Sequence, residues 1–191
     1  MPYNHRKPYR IIIIAAFAAA VSLAFAPALA AQDEGHVIEA RGLISRDAVR
    51  PGETFKAAVI VQVQAGYHIN DNAPLDEFMI PTTLVIDEHP DFEVIEFLFP
   101  KGHRARFAYS EAELVVYEGE VVLGVLLQAK AGAATGARTL KASVGYQACD
   151  NVSCLPPKEL AFSIAVPVAA TAGSDIHPEV FDKLVFPSLR K

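Results

Sequence analysis

What the chain lacks narrows its function first. Only one methionine, Met79, lies beyond the first residue, which excludes a methionine-rich copper carrier. No histidine stands near either of the two cysteines, so the usual three or four zinc ligands do not assemble there. His36, His68, His89, His103 and His177 are scattered without ligand spacing, which leaves no support for a metal- or carbohydrate-binding sandwich. Basic side chains are also few: 17 against 22 acidic ones, for a net charge of −5. A chain of this sign is not expected to bind nucleic acid. Past the N-terminal segment, the longest apolar run is 121–127. It suits a buried strand and is far shorter than a membrane span. There is no internal repeat.

The N-terminus reads as an export signal. Arg6, Lys7 and Arg10 precede an apolar run at 11–25, and Pro27 and Ala28-Leu29-Ala30 follow. That is a charged region, a hydrophobic region and a small-residue cleavage site. Cleavage is expected after Ala30, with Ala31 the near alternative. An uncleaved anchor is disfavoured by the helix-breaking Pro27. No cysteine follows the run, so lipid anchoring is not expected. Removing residues 1–30 takes away three basic side chains and makes the remainder more acidic. That remainder is expected to have no membrane span and to reside in the periplasm, where a disulfide can persist.

The body reads as β throughout. Expected strands are 37–45, 55–64, 82–87, 92–99, 113–117, 120–128, 138–146 and 159–166. The second alternates cleanly: Phe55, Ala57, Val59, Val61 and Val63 point one way, Lys56, Gln62 and Gln64 the other. Regular turn signals and few helical stretches predict an all-β antiparallel β-sandwich, Greek-key in its connections, over residues 36–168. Residues 169–191 read as a C-terminal tail, partly disordered, with one short helix at 178–184 capped near Ser174 or Asp175.

The chain is organised around Gly145-Tyr146-Gln147-Ala148-Cys149 and Cys154-Leu155-Pro156-Pro157. A Cys149–Cys154 bond closes a small loop, worth roughly 2 kcal/mol against nearly 5 for a hundred-residue loop. It is a weak staple. A strand runs into Cys149, and Asp150-Asn151-Val152-Ser153 has turn chemistry: Asp and Asn tolerate the left-handed region and bond their own backbone. Pro156-Pro157 blocks regular pairing beyond. The cysteines therefore face each other across a hairpin end. Two readings stay open from spacing alone: a pair that opens and closes, and an ordinary buried disulfide.

Two other stretches carry candidate accessory residues. Residues 66–78 form a long polar connection holding Tyr67 and His68. An ordered surface loop with Tyr67 and Ile69 packed into the core, and His68 a hydrogen-bonded surface or boundary residue, is the plain structural alternative. Residues 101–109 set Lys101, His103, Arg104 and Arg106 beside Phe107 and Tyr109. Folded over the cysteines, Arg104 or Arg106 would favour thiolate, and Phe107 or Tyr109 would shield the disulfide. A solvated basic loop is the alternative.

Together these motifs resemble the periplasmic N-terminal domain of the thiol:disulfide interchange protein DsbD, over roughly 37–168. Gly66-Tyr67-His68-Ile69-Asn70 and Asp76-Glu77-Phe78-Met79-Ile80-Pro81-Thr82 add to the likeness. The resemblance implies an immunoglobulin-like antiparallel β-sandwich and electron relay through Cys149 and Cys154, with no metal or organic cofactor. Cys154 would form the mixed disulfide and Cys149 resolve it. Phe107 would be the aromatic of a cap loop, with Tyr109, Arg106, Tyr67 and His68 shielding or tuning the site. The family's acidic cap flanks do not carry over, because Ala105 and Arg106 stand there. The implied partners are thioredoxin-like periplasmic proteins. The family's membrane and C-terminal thioredoxin domains are not in this sequence, so a separate membrane electron transporter is expected as reductant. A sandwich binding or assembly module with a structural disulfide is the competing function.

Overall fold

The structure, a computed structural model, describes residue 1 and residues 35–190. The chain divides into units Met1–Asp33 and Glu34–Lys191. The expected export signal lies outside the described residues. Among the described residues, every strand and helix lies in the second unit.

Among the described residues, seven strands that set an apolar face against a polar one make two sheets. The first sheet orders β1 (Ile38–Ile44), β2 (Thr54–Val63), β8 (Glu120–Ala129) and β5 (Phe92–Leu98) side by side. The second orders β11 (Lys158–Val168), β9 (Gly136–Tyr146) and β4 (Thr83–Ile86). A third, smaller sheet joins β7 (Leu114–Tyr117) with β3 (His68–Asn70), β6 (His103–Ala105) and β10 (Ala148–Cys149), in the order β10-β3-β7-β6. All pairings between strands are antiparallel.

The inner faces close on one core. Phe55, Val59 and Val61 of β2 and Leu123, Val125 and Leu127 of β8 meet Leu140 and Val144 of β9 and Ile164 and Val166 of β11. Residues two apart share a face of a strand, which is why the alternation read in β2 is the alternation buried here. The two sheets close along the β1–β11 side. A Cβ added at Gly42 would lie 2.4 Å from Ile164, so only glycine admits that approach. Along the opposite side, among the described residues, no other strand pairs with the outer edges of β4 and β5, above a cleft lined by Ile86, Phe92, Val94, Leu127 and Leu140.

The C-terminal tail corrects one expectation. It packs instead of fraying. The helix α1 (Pro178–Phe181) is capped by His177 in the left-handed region (φ 56°), not by Ser174 or Asp175, and makes no side-chain cap bond. Phe181, Leu184 and Phe186 bury themselves on the outer face of the first sheet, against Ala58 and Leu126. Lys56 Nζ donates to the carbonyls of Phe181 (3.0 Å) and Leu184 (2.8 Å), pinning this strap to β2. Gly124 lies beneath the Phe186 ring, where a Cβ would come within 2.9 Å.

Candidate functional site

The small sheet is built at one end of the sandwich. β9 runs on through Gln147 into β10, exchanging its neighbour β4 for β3. β3 and β4 are nearly one strand: His68 opposes Cys149 and Ile69 opposes Ala148, and Thr83 then opposes Gly145. Between them the chain leaves as a loop, 72–81. Its stem is closed by Thr82 N donating to Asp71 O (3.3 Å) and Thr82 Oγ1 to Asn70 O (2.6 Å).

Cys149 and Cys154 are bonded, with their Cα atoms 3.9 Å apart. The backbone explains the closeness. Asp150 N donates to Ser153 O (2.9 Å) and Leu155 N to Ala148 O (2.8 Å). The cysteines thus occupy the non-hydrogen-bonded position between two bonded pairs, where antiparallel strands approach most closely. Asp150 Oδ1 accepts from Val152 N and Ser153 N, both at 2.7 Å, and holds the turn. These two N–H donors keep its carboxyl below the usual range. The expected side-chain-to-backbone bonding is present. The left-handed conformation is not used, since His177 is the only non-glycine residue with positive φ among the described residues. Cys149 is wholly buried and Cys154 is exposed.

Directly opposed residues of an antiparallel pair share a face. Cys154, Cys149 and His68 therefore form one row on the outer face of the small sheet. The chain after β6 folds back over the His68 end of that row. Phe107 stacks on His68 with centroids 3.8 Å apart and planes 14° apart. Tyr109 stacks on Phe107 at 5.6 Å, and its hydroxyl lies 2.7 Å from His68 Nε2. Burial lowers the His68 pKa, opposed by Glu118 and Asp150 and aided by His103; burial also raises Tyr109. His68 is hydrogen-bonded, as the plain alternative has it, but it is buried and not at the surface or its boundary.

The structure brings Phe107, Tyr109 and His68 together beside Cys149 and leaves Arg106 outside. Arg106 and Arg104 both pair with Glu113 at the exposed rim of the flap, at 3.6 and 3.4 Å. Tyr67 packs against the main core beside the fully buried Ile69. Two residues that sequence reading passed over also matter. Asp150 faces both His68 and Tyr109. Tyr117, its hydroxyl 2.9 Å from Asn72 Oδ1 and from Pro100 O, ties the root of the 72–81 loop to the start of β6; burial pushes its pKa up to about 12. Only the strand register, which places Glu118 and Asp150 around His68, reveals the first. Among the described residues no group of three His, Cys, Asp or Glu is placed to hold a metal ion.

Residues 39–165 match the family model for the thiol:disulfide interchange protein DsbD, N-terminal. The chain belongs to the DsbD N-terminal family. The all-β antiparallel architecture meets the expected immunoglobulin-like sandwich, and the family's general activity is thiol–disulfide redox chemistry. Among solved structures, the N-terminal periplasmic domain of ScsB from Proteus mirabilis is similar at 16% identity and a TM-score of 0.47, over 73% of this chain and 49% of that one. The chain thus spans about half the length of that structure. The DsbD N-terminal domain of Neisseria meningitidis, in its reduced form, is similar at 17% identity and a TM-score of 0.38, over 70% of this chain and 90% of that one. No curated protein sequence matches. Among the described residues no helix is long and apolar enough to cross a membrane.

Proposed function

We propose that the protein relays electrons in the periplasm by disulfide exchange at Cys149 and Cys154. The observation that carries this reading is the asymmetry of the pair: one sulfur lies on a wholly buried residue, the other on an exposed one. In the reduced protein the Cys154 thiolate attacks a substrate disulfide. One substrate sulfur leaves as thiolate and takes a proton. Cys149 then gives up its proton and attacks Cys154 Sγ, forming the internal bond and expelling the second substrate thiolate, which is protonated in turn. Two electrons pass to the substrate. The reverse sequence, begun by a reductant's thiolate at Cys154, reloads the pair. A thioredoxin-like protein or a separate membrane electron transporter would supply that thiolate. Phe107 and Tyr109, stacked over His68, keep small thiols from the Cys149 side. Residues 1–30 serve as a cleaved export signal.

Two measurements test the exchange. Cys149→Ala is expected to accumulate mixed disulfides with a thiol partner and Cys154→Ala to form none; failure of Cys149→Ala to trap any partner counts against the mechanism. A reduction potential between about −180 and −270 mV places the pair among exchange proteins, and one below about −300 mV among structural disulfides. The latter outcome would return the protein to the binding-module reading.

A further inference from the structure

The 72–81 loop is not needed to join β3 to β4. Asp71 and Thr82 already meet, so the loop is an insertion into a nearly continuous strand. It is nevertheless firmly built. Asn70 Nδ2 donates to Ile80 O (2.9 Å), Asp71 accepts from Ala73 N (2.7 Å) and Gly102 N (2.9 Å), and Asp76 Oδ1 accepts from Phe78 N (2.9 Å). Asn70 lies two residues from His68, so its side chain is on the same face of the small sheet, and it draws the loop onto the face that carries the disulfide. This anchored loop holds large apolar side chains in solvent: Phe78 is 85% exposed, Leu75 62% and Ile80 40%. Val152, on the turn between the cysteines, is 75% exposed. Asp76 and Glu77 are exposed beside them, while Arg104 and Arg106 share the one carboxylate of Glu113, and Arg104 lines a cleft with Asn72 and Ala73 at the root of the loop.

Distance makes the loop part of any docking event. Three to four residues separate its root from the cysteine row along the strand, about 10 to 13 Å at roughly 3.3 Å per residue. A protein footprint of about 600–800 Å² centred on Cys154 has a radius of about 14 to 16 Å. Cys154 lies a further two strand spacings to the side of β3, about 9 Å, so the root is about 13 to 16 Å from it, and a partner that reaches Cys154 meets the loop at the rim of its footprint.

Resting on the exchange reading above, we propose that the 72–81 loop is a docking ledge. Its occupant is a thioredoxin-like protein with an apolar surface around its reactive cysteine and a cationic side chain to meet Asp76 and Glu77. Small thiols need no ledge, so it separates protein from small-molecule reactivity.

The test uses the variant Leu75→Ser/Phe78→Ser in the full chain, with reduced thioredoxin and dithiothreitol as the two probes. The protein has no tryptophan, so indole fluorescence reports the thioredoxin alone. The expected result is a second-order rate constant with thioredoxin about tenfold lower, with the dithiothreitol rate and the melting temperature unchanged. A thioredoxin rate within about twofold of the parent overturns the ledge and leaves the exchange reading standing. Equal slowing with both probes also overturns it, because the change would then act on the disulfide itself. If the parent reacts with dithiothreitol but not with thioredoxin, the named occupant is wrong and the ledge falls. If the parent reacts with neither, the exchange reading fails first and takes the ledge with it.

Discussion

Two aromatic covers lie on this protein, and they are fastened differently. The C-terminal strap sinks Phe186 and Phe181 into the outer face of the first sheet, and Lys56 bonds two of its carbonyls. The flap over the small sheet rests a half-buried Phe107 on His68 and adds one Tyr109 hydroxyl contact. The strap replaces water with close-packed core and belongs to the fold. The flap covers His68 with stacked rings, one buried hydroxyl contact and ion pairs at its exposed rim. An aromatic pair of this kind contributes about 0.5 to 1.5 kcal/mol beyond its area, little enough for thermal opening. The contrast predicts permanence for one cover and gating for the other.

The contrast can be broken in descending order of effect. Phe186→Ala should cost about 3 to 5 kcal/mol of stability in denaturant unfolding while the rate of disulfide reduction by dithiothreitol stays the same; a change in that rate would mean the strap and the site are coupled. Acidification is the second lever. His68 binds its proton less readily in the fold than its ordinary 6.5, because burial disfavours the charge. The unfolded chain therefore holds more protons just below that value. Stability should fall as pH drops from about 6.5 toward the folded pKa, by at most about 1.4 kcal/mol per pH unit for one proton. His68→Phe should remove that slope and keep the stack. The carboxylates of Asp91 and Asp150, held below 3.8, lose their contributions only in a more acid range. Smallest of the three, Phe107→Ala should leave stability within about 1.5 kcal/mol and speed dithiothreitol reduction by about two- to tenfold, the population shift that loss of one stack allows. An unchanged rate would show that the flap does not gate.

The parts legible in the sequence were those with length to repeat a pattern. β2, with its alternating Phe55, Ala57, Val59, Val61 and Val63, could be read directly, as could the long β8, β9 and β11. β3, β6 and β10 have three, three and two residues, too few for a period of two to register. Those short strands make the site's own sheet. The cysteines were visible as a motif, and Phe107 as a cap aromatic came from family resemblance. His68 read as a surface or boundary residue because its burial depends on β10 and on a flap that returns from another part of the chain. The strap was missed for a related reason: the apolar stretch that holds Phe181, Leu184 and Phe186 is too short to show a period, and its burial needs Gly124 and Lys56 in position across the molecule.

The sandwich is joined along one side and parted along the other, like a book with a spine. Gly42 against Ile164 is the spine; the unpaired edges of β4 and β5 are the fore-edge. Cys154 leads directly into β11, whose ladder with β9 runs unbroken from Lys158 to Val168 beside the spine. A tug on Cys154 by a departing partner is therefore carried into the stiffest seam of the molecule, and the pages that can riffle are spared.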